Sequence, residues 1–217
     1  MKEIFPGVFE HRGRLYTKNL VPRVKVYGEE LLREEGVEYR NWNPYRSKPA
    51  AAIKNGLRNF PLGGGSKILY LGAATGTTVS HFSDIAEKGE VYAVEISAHS
   101  MKKLLALCEK RENIIPIMAD ARNPKEYEEA GKVDVVYEDV AHPEQAEILL
   151  RNAAAFLKKG GWAFIAIKSQ SIDVTKKPSE VYVEVGKELG GAFEIVERVR
   201  LEPYEREHLF LVLRKKE

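Results

Sequence analysis

The fold of this chain is decided by residues 67–78, KILYLGAATGTT. The apolar run 68–71 ends at Gly72, small residues follow as far as Gly76, and the pattern predicts a helix from about Thr77. A short apolar run flanked by turn residues is typical of a buried parallel strand. Glycine and alanine at the turn let backbone N–H groups approach a ligand, and the following helix adds its unpaired N-terminal N–H groups. The stretch therefore predicts the first strand, turn and helix of a nucleotide-type site.

The turn departs from the Gly-x-Gly-x-x-Gly pattern of dinucleotide sites. Aligned on Gly72, that pattern needs glycine at Ala74 and Thr77, so a pyrophosphate is disfavoured. The next apolar run, 91–95, ends in Glu95, whose carboxylate can accept hydrogen bonds from a ribose diol. Together these features indicate an adenosine-containing cofactor without a pyrophosphate, and S-adenosylmethionine fits; the alternative is a glycine-rich turn that binds nothing. The residues expected to bind the cofactor here are Gly72, Ala73, Ala74, Gly76, Thr77, Thr78, Glu95 and Ile96.

Composition limits the class of protein. The 217 residues include 34 basic and 32 acidic ones, and a net charge of +2 indicates no broad nucleic-acid-binding surface. Any RNA surface is therefore expected to be a local patch or to be shared with partner proteins. No apolar run approaches the roughly 18 residues of a membrane span, and MKEIFP at the start lacks a signal-peptide core, so we expect a cytoplasmic protein. The single cysteine, Cys108, excludes an internal disulfide and a cysteine-based metal site.

Residues 1–50 differ from the rest and predict a small N-terminal β module, with the main domain over 51–217. A hairpin is expected over 8–16 and a further strand over 20–28. A helix is expected to open within 46–54, where proline and three alanines favour its first turns. The basic residues of this module are expected mostly on a solvated face.

Strands and helices alternate through the main domain. Seven strands are expected, approximately at 67–72, 90–95, 114–118, 134–138, 161–168, 192–200 and 207–214. Helices are expected near 78–87, 97–110, 144–158 and 178–189. Such alternation predicts an α/β fold in which helices cover both faces of a parallel sheet, and the short link before the last strand predicts an antiparallel pair. The expected arrangement resembles the Rossmann-like seven-stranded sheet of class I S-adenosylmethionine-dependent methyltransferases, and we expect that fold.

Polar residues follow the carboxyl ends of the later strands, where open α/β sheets bind ligands. The third strand ends at Asp120 and Ala121, which can pair with the edge of an adenine ring. The fifth strand ends at Lys168, and Asp139 lies at the end of the neighbouring fourth strand. A lysine at a buried strand end is costly unless it is paired, so we expect these two side chains to face each other. The fourth strand adds the expected cofactor contacts Asp139, Val140, Ala141 and His142.

An amine beside a carboxylate has a chemical use at this position. A ribose 2′-hydroxyl must lose its proton as it accepts a methyl group, and an amine with a lowered pKa can act as the base. Lys48 and His208 are candidates to complete a polar ring around the hydroxyl. The alternative is an ordinary salt bridge between Asp139 and Lys168 that closes the strand ends.

Several stretches in order, covering essentially the whole chain, resemble the fibrillarin family in its archaeal, fibrillarin-like form. They are WNPYRSK at 42–48, GAATGTTVSH at 72–81, VYAVE at 91–95, NIIP at 113–116, DVAH at 139–142, Lys168 with SID at 171–173, and EPYER at 202–206. We expect the archaeal form because these residues include no glycine- and arginine-rich stretch like the N-terminal tail of the eukaryotic form. One departure is His142, where the family pattern has glutamine.

The resemblance implies an S-adenosylmethionine-dependent RNA 2′-O-methyltransferase that acts in rRNA and tRNA processing within a box C/D ribonucleoprotein. It further implies a guide RNA that selects the target, a Nop5-type scaffold protein and an L7Ae-type RNA-binding protein. The family's catalytic tetrad falls on Lys48, Asp139, Lys168 and His208, although Lys54 lies near enough to Lys48 to leave the first lysine open. Two alternatives stay in view: a methyltransferase that acts without a guide on another substrate, and a structural subunit that binds the cofactor without catalysis.

Overall fold

The N-terminal part of the chain forms a five-stranded antiparallel sheet in the computed structural model, which describes residues 1–217. Its strands, in the spatial order β1-β2-β3-β5-β4, are β1 (Lys2–Phe5), β2 (Val8–His11), β3 (Arg14–Lys18), β4 (Leu31–Glu34) and β5 (Val37–Asn41). The hairpin predicted over 8–16 is confirmed as β2 and β3. The sequence did not predict β1 or β4.

The prediction of a strand over 20–28 is wrong, because this segment is a loop. Its backbone N–H groups bond to side chains instead of to a neighbouring strand: Arg23 donates to Glu38 at 2.7 Å and Tyr27 to Glu29 at 2.8 Å. Arg23 also has a φ of 69°, which interrupts an extended strand. Hydrogen bonds to the carboxylates of Glu29 and Glu38 therefore outweigh the local alternation of apolar residues.

The main sheet has seven strands in the order β11-β12-β10-β9-β6-β7-β8. They are β6 (Lys67–Leu71), β7 (Glu90–Glu95), β8 (Ile114–Met118), β9 (Val133–Glu138), β10 (Leu157–Lys168), β11 (Phe193–Arg200) and β12 (His208–Lys215). The strands β6 to β10 are parallel, whereas β12 runs antiparallel to both β10 and β11. The predicted parallel sheet with a terminal antiparallel pair is thus confirmed.

Helices cover both faces of this sheet. They are α1 (Lys48–Lys54), α2 (Thr77–Ile85), α3 (Ala98–Cys108), α4 (Gln145–Ala155), α5 (Ser169–Ile172) and α6 (Pro178–Leu189), with a 3-10 segment at Pro124–Ala130. Neighbouring residues such as Leu69 and Tyr70 point into two different hydrophobic clusters, one on each face. The strands are apolar throughout because both of their faces are buried. No helix combines the length and apolar character needed to cross a membrane.

The N-terminal sheet shares its core with the main sheet. Val8, Leu15 and Trp42 belong to the same buried cluster as residues of β6 and α2. A fully buried ionic network adds to this contact, since Arg40 pairs with Asp84 of α2 at 2.8 Å. Removing one partner from such a pair typically costs about 3–5 kcal/mol, which favours a fixed orientation between the sheets. The division at residue 50 stays a prediction.

Candidate functional site

A cavity of about 350 Å³ lies beyond the carboxyl ends of β6, β7, β8 and β9. Ten of the residues predicted to bind the cofactor line this cavity: Gly72, Ala74, Glu95, Ile96, Asp120, Ala121, Asp139, Val140, Ala141 and His142. The walls are mainly apolar, and the polar groups converge from several strand ends. This combination is typical of a small-molecule site at the edge of an open α/β sheet.

Four of the predicted cofactor residues do not line the cavity: Ala73, Gly76, Thr77 and Thr78. Two of them instead anchor the turn and the start of α2 to neighbouring segments. The Ala73 N–H donates to the carbonyl oxygen of Val94, and the Thr78 hydroxyl donates to the Ser47 hydroxyl. The cavity also includes residues that sequence reasoning missed, namely Val94, Ala119, Arg122 and Ile148. Val94 and Ala119 directly precede the predicted positions Glu95 and Asp120. They could have been predicted by including the last residue before each of those positions.

Glycine is required at position 72. Its φ is 80°, and a Cβ at this position would lie 2.8 Å from the carbonyl oxygen of Asp139. Only glycine therefore lets the turn after β6 approach the end of β9 so closely. This contact places Gly72, which lines the cavity, directly against the backbone of Asp139.

Glu95 is held rigidly at the end of β7. One carboxylate oxygen accepts a hydrogen bond from the Ala74 N–H and the other from the Ser97 N–H, each at 2.7 Å. A carboxylate has about four acceptor directions, so two are left for a ligand. Glu95 is buried and lines the cavity, which suits it to bind a diol.

Two side chains at the far wall are fixed by local hydrogen bonds. The Arg122 guanidinium donates to Asp120 at 2.5 Å and holds the pKa of that carboxyl below its usual value. The backbone N–H of Glu144 donates to Nδ1 of His142 at 3.1 Å. In the neutral ring this bond places the remaining proton on Nε2, which makes His142 a donor at its other nitrogen. The histidine thus retains a donor, as the expected glutamine side chain would.

Asp139 pairs with Lys48, and the expected pairing with Lys168 is wrong. The Lys48 Nζ lies 2.8 Å from a carboxylate oxygen of Asp139, whereas Lys168 is exposed and forms no ion pair. Lys48 begins α1, and its neighbour Ser47 is anchored by the Trp42 indole N–H at 2.8 Å. Lys54 donates to the carbonyl oxygen of Gly13 instead, so Lys48 is the lysine that reaches Asp139.

The two partners have shifted pKa values. Burial raises the pKa of Asp139, and the Lys48 charge offsets part of this effect. Burial alone would lower the pKa of Lys48, but the Asp139 carboxylate outweighs it, so the pKa of Lys48 lies above its usual value. Lys48 therefore stays cationic, and Asp139 is a carboxylate with an enhanced affinity for a proton.

Lys168 and His208 face each other as register partners on β10 and β12. The His208 Nδ1–H donates to the carbonyl oxygen of Arg206 at 2.7 Å, which leaves Nε2 as an acceptor when the ring is neutral. His208 also lies close enough to Asp139 that a positive charge on its ring would lower the pKa of that carboxyl. The structure thus brings Asp139 into contact with Lys48 and places the Lys168–His208 pair at the same end of the sheet.

Comparison with known proteins places this chain in a family. The sequence model of the Fibrillarin family matches residues 1–217. The chain is 52% identical to the fibrillarin-like rRNA/tRNA 2′-O-methyltransferase of Pyrococcus furiosus, over 99% of this chain and 97% of that protein. Among solved structures, Aeropyrum pernix fibrillarin in complex with natively bound S-adenosyl-L-methionine is 50% identical with a TM-score of 0.85, over 92% of this chain and 88% of that one.

A second solved structure, a fibrillarin/Nop5p complex, is 44% identical with a TM-score of 0.92 and covers 99% of this chain and 100% of that one. The fold is the class I S-adenosylmethionine-dependent methyltransferase fold expected from the sequence, with an N-terminal β sheet. The chain therefore belongs to the fibrillarin family.

Proposed function

We propose that this chain transfers a methyl group from S-adenosylmethionine to ribose 2′-hydroxyls of rRNA and tRNA, at nucleotides that a box C/D guide RNA selects. The observation that carries the proposal is the Lys48–Asp139 ion pair of 2.8 Å, because Asp139 also lines the cavity. A proton acceptor thus stands directly at the edge of a cofactor-sized site. The name of the Pyrococcus furiosus relative, at 52% identity, supports the same reaction.

The donor set of the cavity fits S-adenosylmethionine. Glu95 retains free acceptor directions for the ribose diol, and the apolar side chains of Ile96 and Val140 offer walls for the adenine ring. Asp120 and the backbone of Ala121 provide an acceptor and a donor for the polar edge of that ring. A methyl group bound to a positively charged sulfur is what this cofactor supplies when it is bound.

The side chains around Asp139 have separate roles in the proposed reaction. As the 2′-oxygen forms its bond to the methyl carbon and the carbon–sulfur bond breaks, the hydroxyl proton passes to a carboxylate oxygen of Asp139. Lys48 fixes this carboxylate, and burial makes it more basic than an ordinary aspartate. Lys168 and the Nε2 of His208 orient the hydroxyl from the neighbouring strands. This assignment replaces Lys168 as the expected base, because the carboxylate pairs with Lys48.

The proposed assembly contains a Nop5-type scaffold protein, an L7Ae-type RNA-binding protein and the guide RNA, in the cytoplasm of an archaeal cell. The fibrillarin/Nop5p complex, whose fibrillarin matches 99% of this chain, supports the scaffold. The small net charge of +2 also supports shared RNA binding, since one broad basic surface is not evident from the composition.

The test is reconstitution of this chain with the two proteins, a guide RNA and a complementary target, followed by transfer of a labelled methyl group. We expect one modified ribose, at a position that moves when the guide sequence is changed. Equal product without the guide would favour an unguided methyltransferase. Bound cofactor without product, from an otherwise complete assembly, would favour a structural subunit.

A further inference from the structure

A second cleft, of about 440 Å³, lies beside the cofactor cavity. Both use the turn between β6 and α2, because Gly72 and Ala74 line the cavity whereas Thr75 and Thr77 line the cleft. The cleft also has four cationic side chains. We call this surface the basic cleft and define it by Lys25, Arg46, Lys103, Lys110, Thr75 and Thr77.

The cations of the basic cleft come from separate parts of the chain. Lys25 lies in the loop between β3 and β4, and Arg46 directly precedes α1. Lys103 lies in α3 and Lys110 just beyond its end, and a spacing of seven residues places both on one side of the helix. Convergence of like charges from three segments is unfavourable on its own, so an anionic ligand would stabilise it.

No acidic side chain lines the basic cleft. None of the 11 residues that line the cleft is acidic, although the chain contains 32 acidic residues. None of the four cations forms an ion pair, whereas many other lysines and arginines of the chain do. Arg46 is instead placed over the ring of Tyr27, 5.8 Å from its centroid, which leaves its guanidinium edge free for an anion.

A short segment of chain links the basic cleft to the proposed catalytic side chains. Arg46 precedes Lys48 by two residues, and the intervening Ser47 is hydrogen-bonded to Thr78 of α2 at 2.9 Å. The segment that carries Arg46 into the cleft thus also carries Lys48 to Asp139, so a polyanion held by Arg46 lies next to the segment that forms the ion pair. An RNA strand carries a negative charge on each phosphate and must place one ribose at that pair.

We propose that the basic cleft binds phosphates of the target RNA strand next to the ribose that is methylated. The inference rests on the proposed function, since it takes RNA as the substrate. The cleft sets the position of the strand and reads no sequence, which suits an enzyme whose target is chosen elsewhere. The hydroxyls of Thr75 and Thr77 add neutral donors to the four cations.

The test compares Lys103→Gln/Lys110→Gln with the matched control Lys88→Gln/Lys159→Gln. The control residues are also exposed and unpaired, but they lie near the amino ends of β7 and β10, away from the cleft. Fluorescence anisotropy with a short labelled single-stranded RNA gives the Kd between about 50 and 200 mM salt. Cofactor titration and thermal unfolding check that each variant is folded and binds S-adenosylmethionine normally.

We expect the cleft variant to raise the Kd for RNA by about tenfold at the lower salt concentration. The slope of log Kd against log salt should be shallower by about 1.4, because each lost phosphate contact contributes about 0.7 on a single strand. The control should match the wild type. Equal RNA binding by the cleft variant and the wild type, or no RNA binding by the wild type, overturns the proposal.

An acidic protein segment is the competing occupant, and an oligoglutamate peptide tests it. If the cleft variant loses peptide binding and keeps RNA binding, the cleft docks a protein and the proposal is wrong. The assay needs no methyl transfer and no guide RNA, so its failure is distinct from a failure of the proposed function.

Discussion

The Lys48 ammonium lies 2.8 Å from the Asp139 carboxylate, although 91 positions separate the two residues in sequence. The contact joins the first helix to the end of a central strand and fixes the carboxylate at the cofactor cavity. It also decides between two lysines of α1, because Lys54 is hydrogen-bonded to Gly13 in the N-terminal sheet. The pair therefore favours Lys48 over Lys54 for the proposed catalytic role.

Lys48→Gln should reduce methyl transfer by about 10²-fold, within the range of general acid–base contributions. The neutral amide holds Asp139 less firmly and no longer balances its charge. The affinity for S-adenosylmethionine should change little, since Lys48 does not line the cavity. Single-turnover rates measure the effect, and Lys54→Gln is the matched control on the same helix. Loss of activity in the Lys54 variant alone would contradict the assignment.

Lys168→Ala should reduce turnover by about 10²-fold, as expected for loss of an orienting group, and leave the dissociation constant for S-adenosylmethionine nearly unchanged. Lys168 stands opposite His208 and forms no ion pair, so its ammonium is free to orient a hydroxyl. The same strand supplies a control, because Lys159 lies near the other end of β10 and is also exposed. Turnover rates and calorimetric titration of the two variants separate the roles. A Lys168→Ala variant with undiminished turnover would remove this residue from the mechanism.

The sequence predicted the central strands because their signals are local. An apolar run that is buried on both faces is recognisable as a strand from its own residues. The glycine at 72 marks the turn after β6 in the sequence, but its close approach to Asp139 became visible only in the structure. The loop at 20–28 was not predictable in this way. Its hydrogen-bond partners include Glu38, well outside the window in which alternation is read.

Family resemblance predicted which residues form the proposed catalytic cluster, but not that Asp139 would pair with Lys48. Adjacent strand ends correctly place Asp139 and Lys168 on neighbouring strands. The direction of a side chain at a strand end depends on what packs over it, and here α1 brings Lys48 to the carboxylate. Tertiary packing therefore decides which cation neutralises Asp139.

Glu95→Ala should weaken binding of S-adenosylmethionine by about 1–3 kcal/mol, or about 5- to 150-fold, if a charged hydrogen bond to the ribose is lost. The carboxylate also orders the turn through the N–H groups of Ala74 and Ser97, which adds to the effect. Calorimetric titration measures it. The matched control is Glu90→Gln at the amino end of β7, outside the cavity. An unchanged dissociation constant for Glu95→Ala would reject its role at the ribose.

Glu138 gives a pH-dependent prediction for stability. It is fully buried beside Asp139, and neither of its carboxylate oxygens has a hydrogen-bond partner. Burial, together with the charge of Asp139, raises its pKa well above the ordinary value of 4.5. The folded chain therefore keeps this proton above the pH at which an ordinary glutamate loses it, and a neutral Glu138 spares Asp139 a repulsive neighbour.

The sign of the effect follows from proton binding. Above about pH 4.5 the unfolded chain releases the Glu138 proton whereas the folded chain retains it, so the free energy of unfolding falls by about 1.4 kcal/mol per pH unit. Glu138→Gln keeps the shape of the side chain and cannot ionise. We expect its stability relative to the wild type to increase from about pH 5 to about pH 7 with this slope.

Urea unfolding of both proteins across that range measures the difference. His81 acts in the opposite direction, because burial and the charges of Arg40 and Arg111 lower its pKa, and acidification below about pH 6.5 therefore destabilises the fold. This contribution is the same in both proteins and cancels when they are compared. Parallel pH profiles for Glu138→Gln and the wild type would mean that Glu138 ionises normally in the folded chain, and Asp139 would then have a charged neighbour.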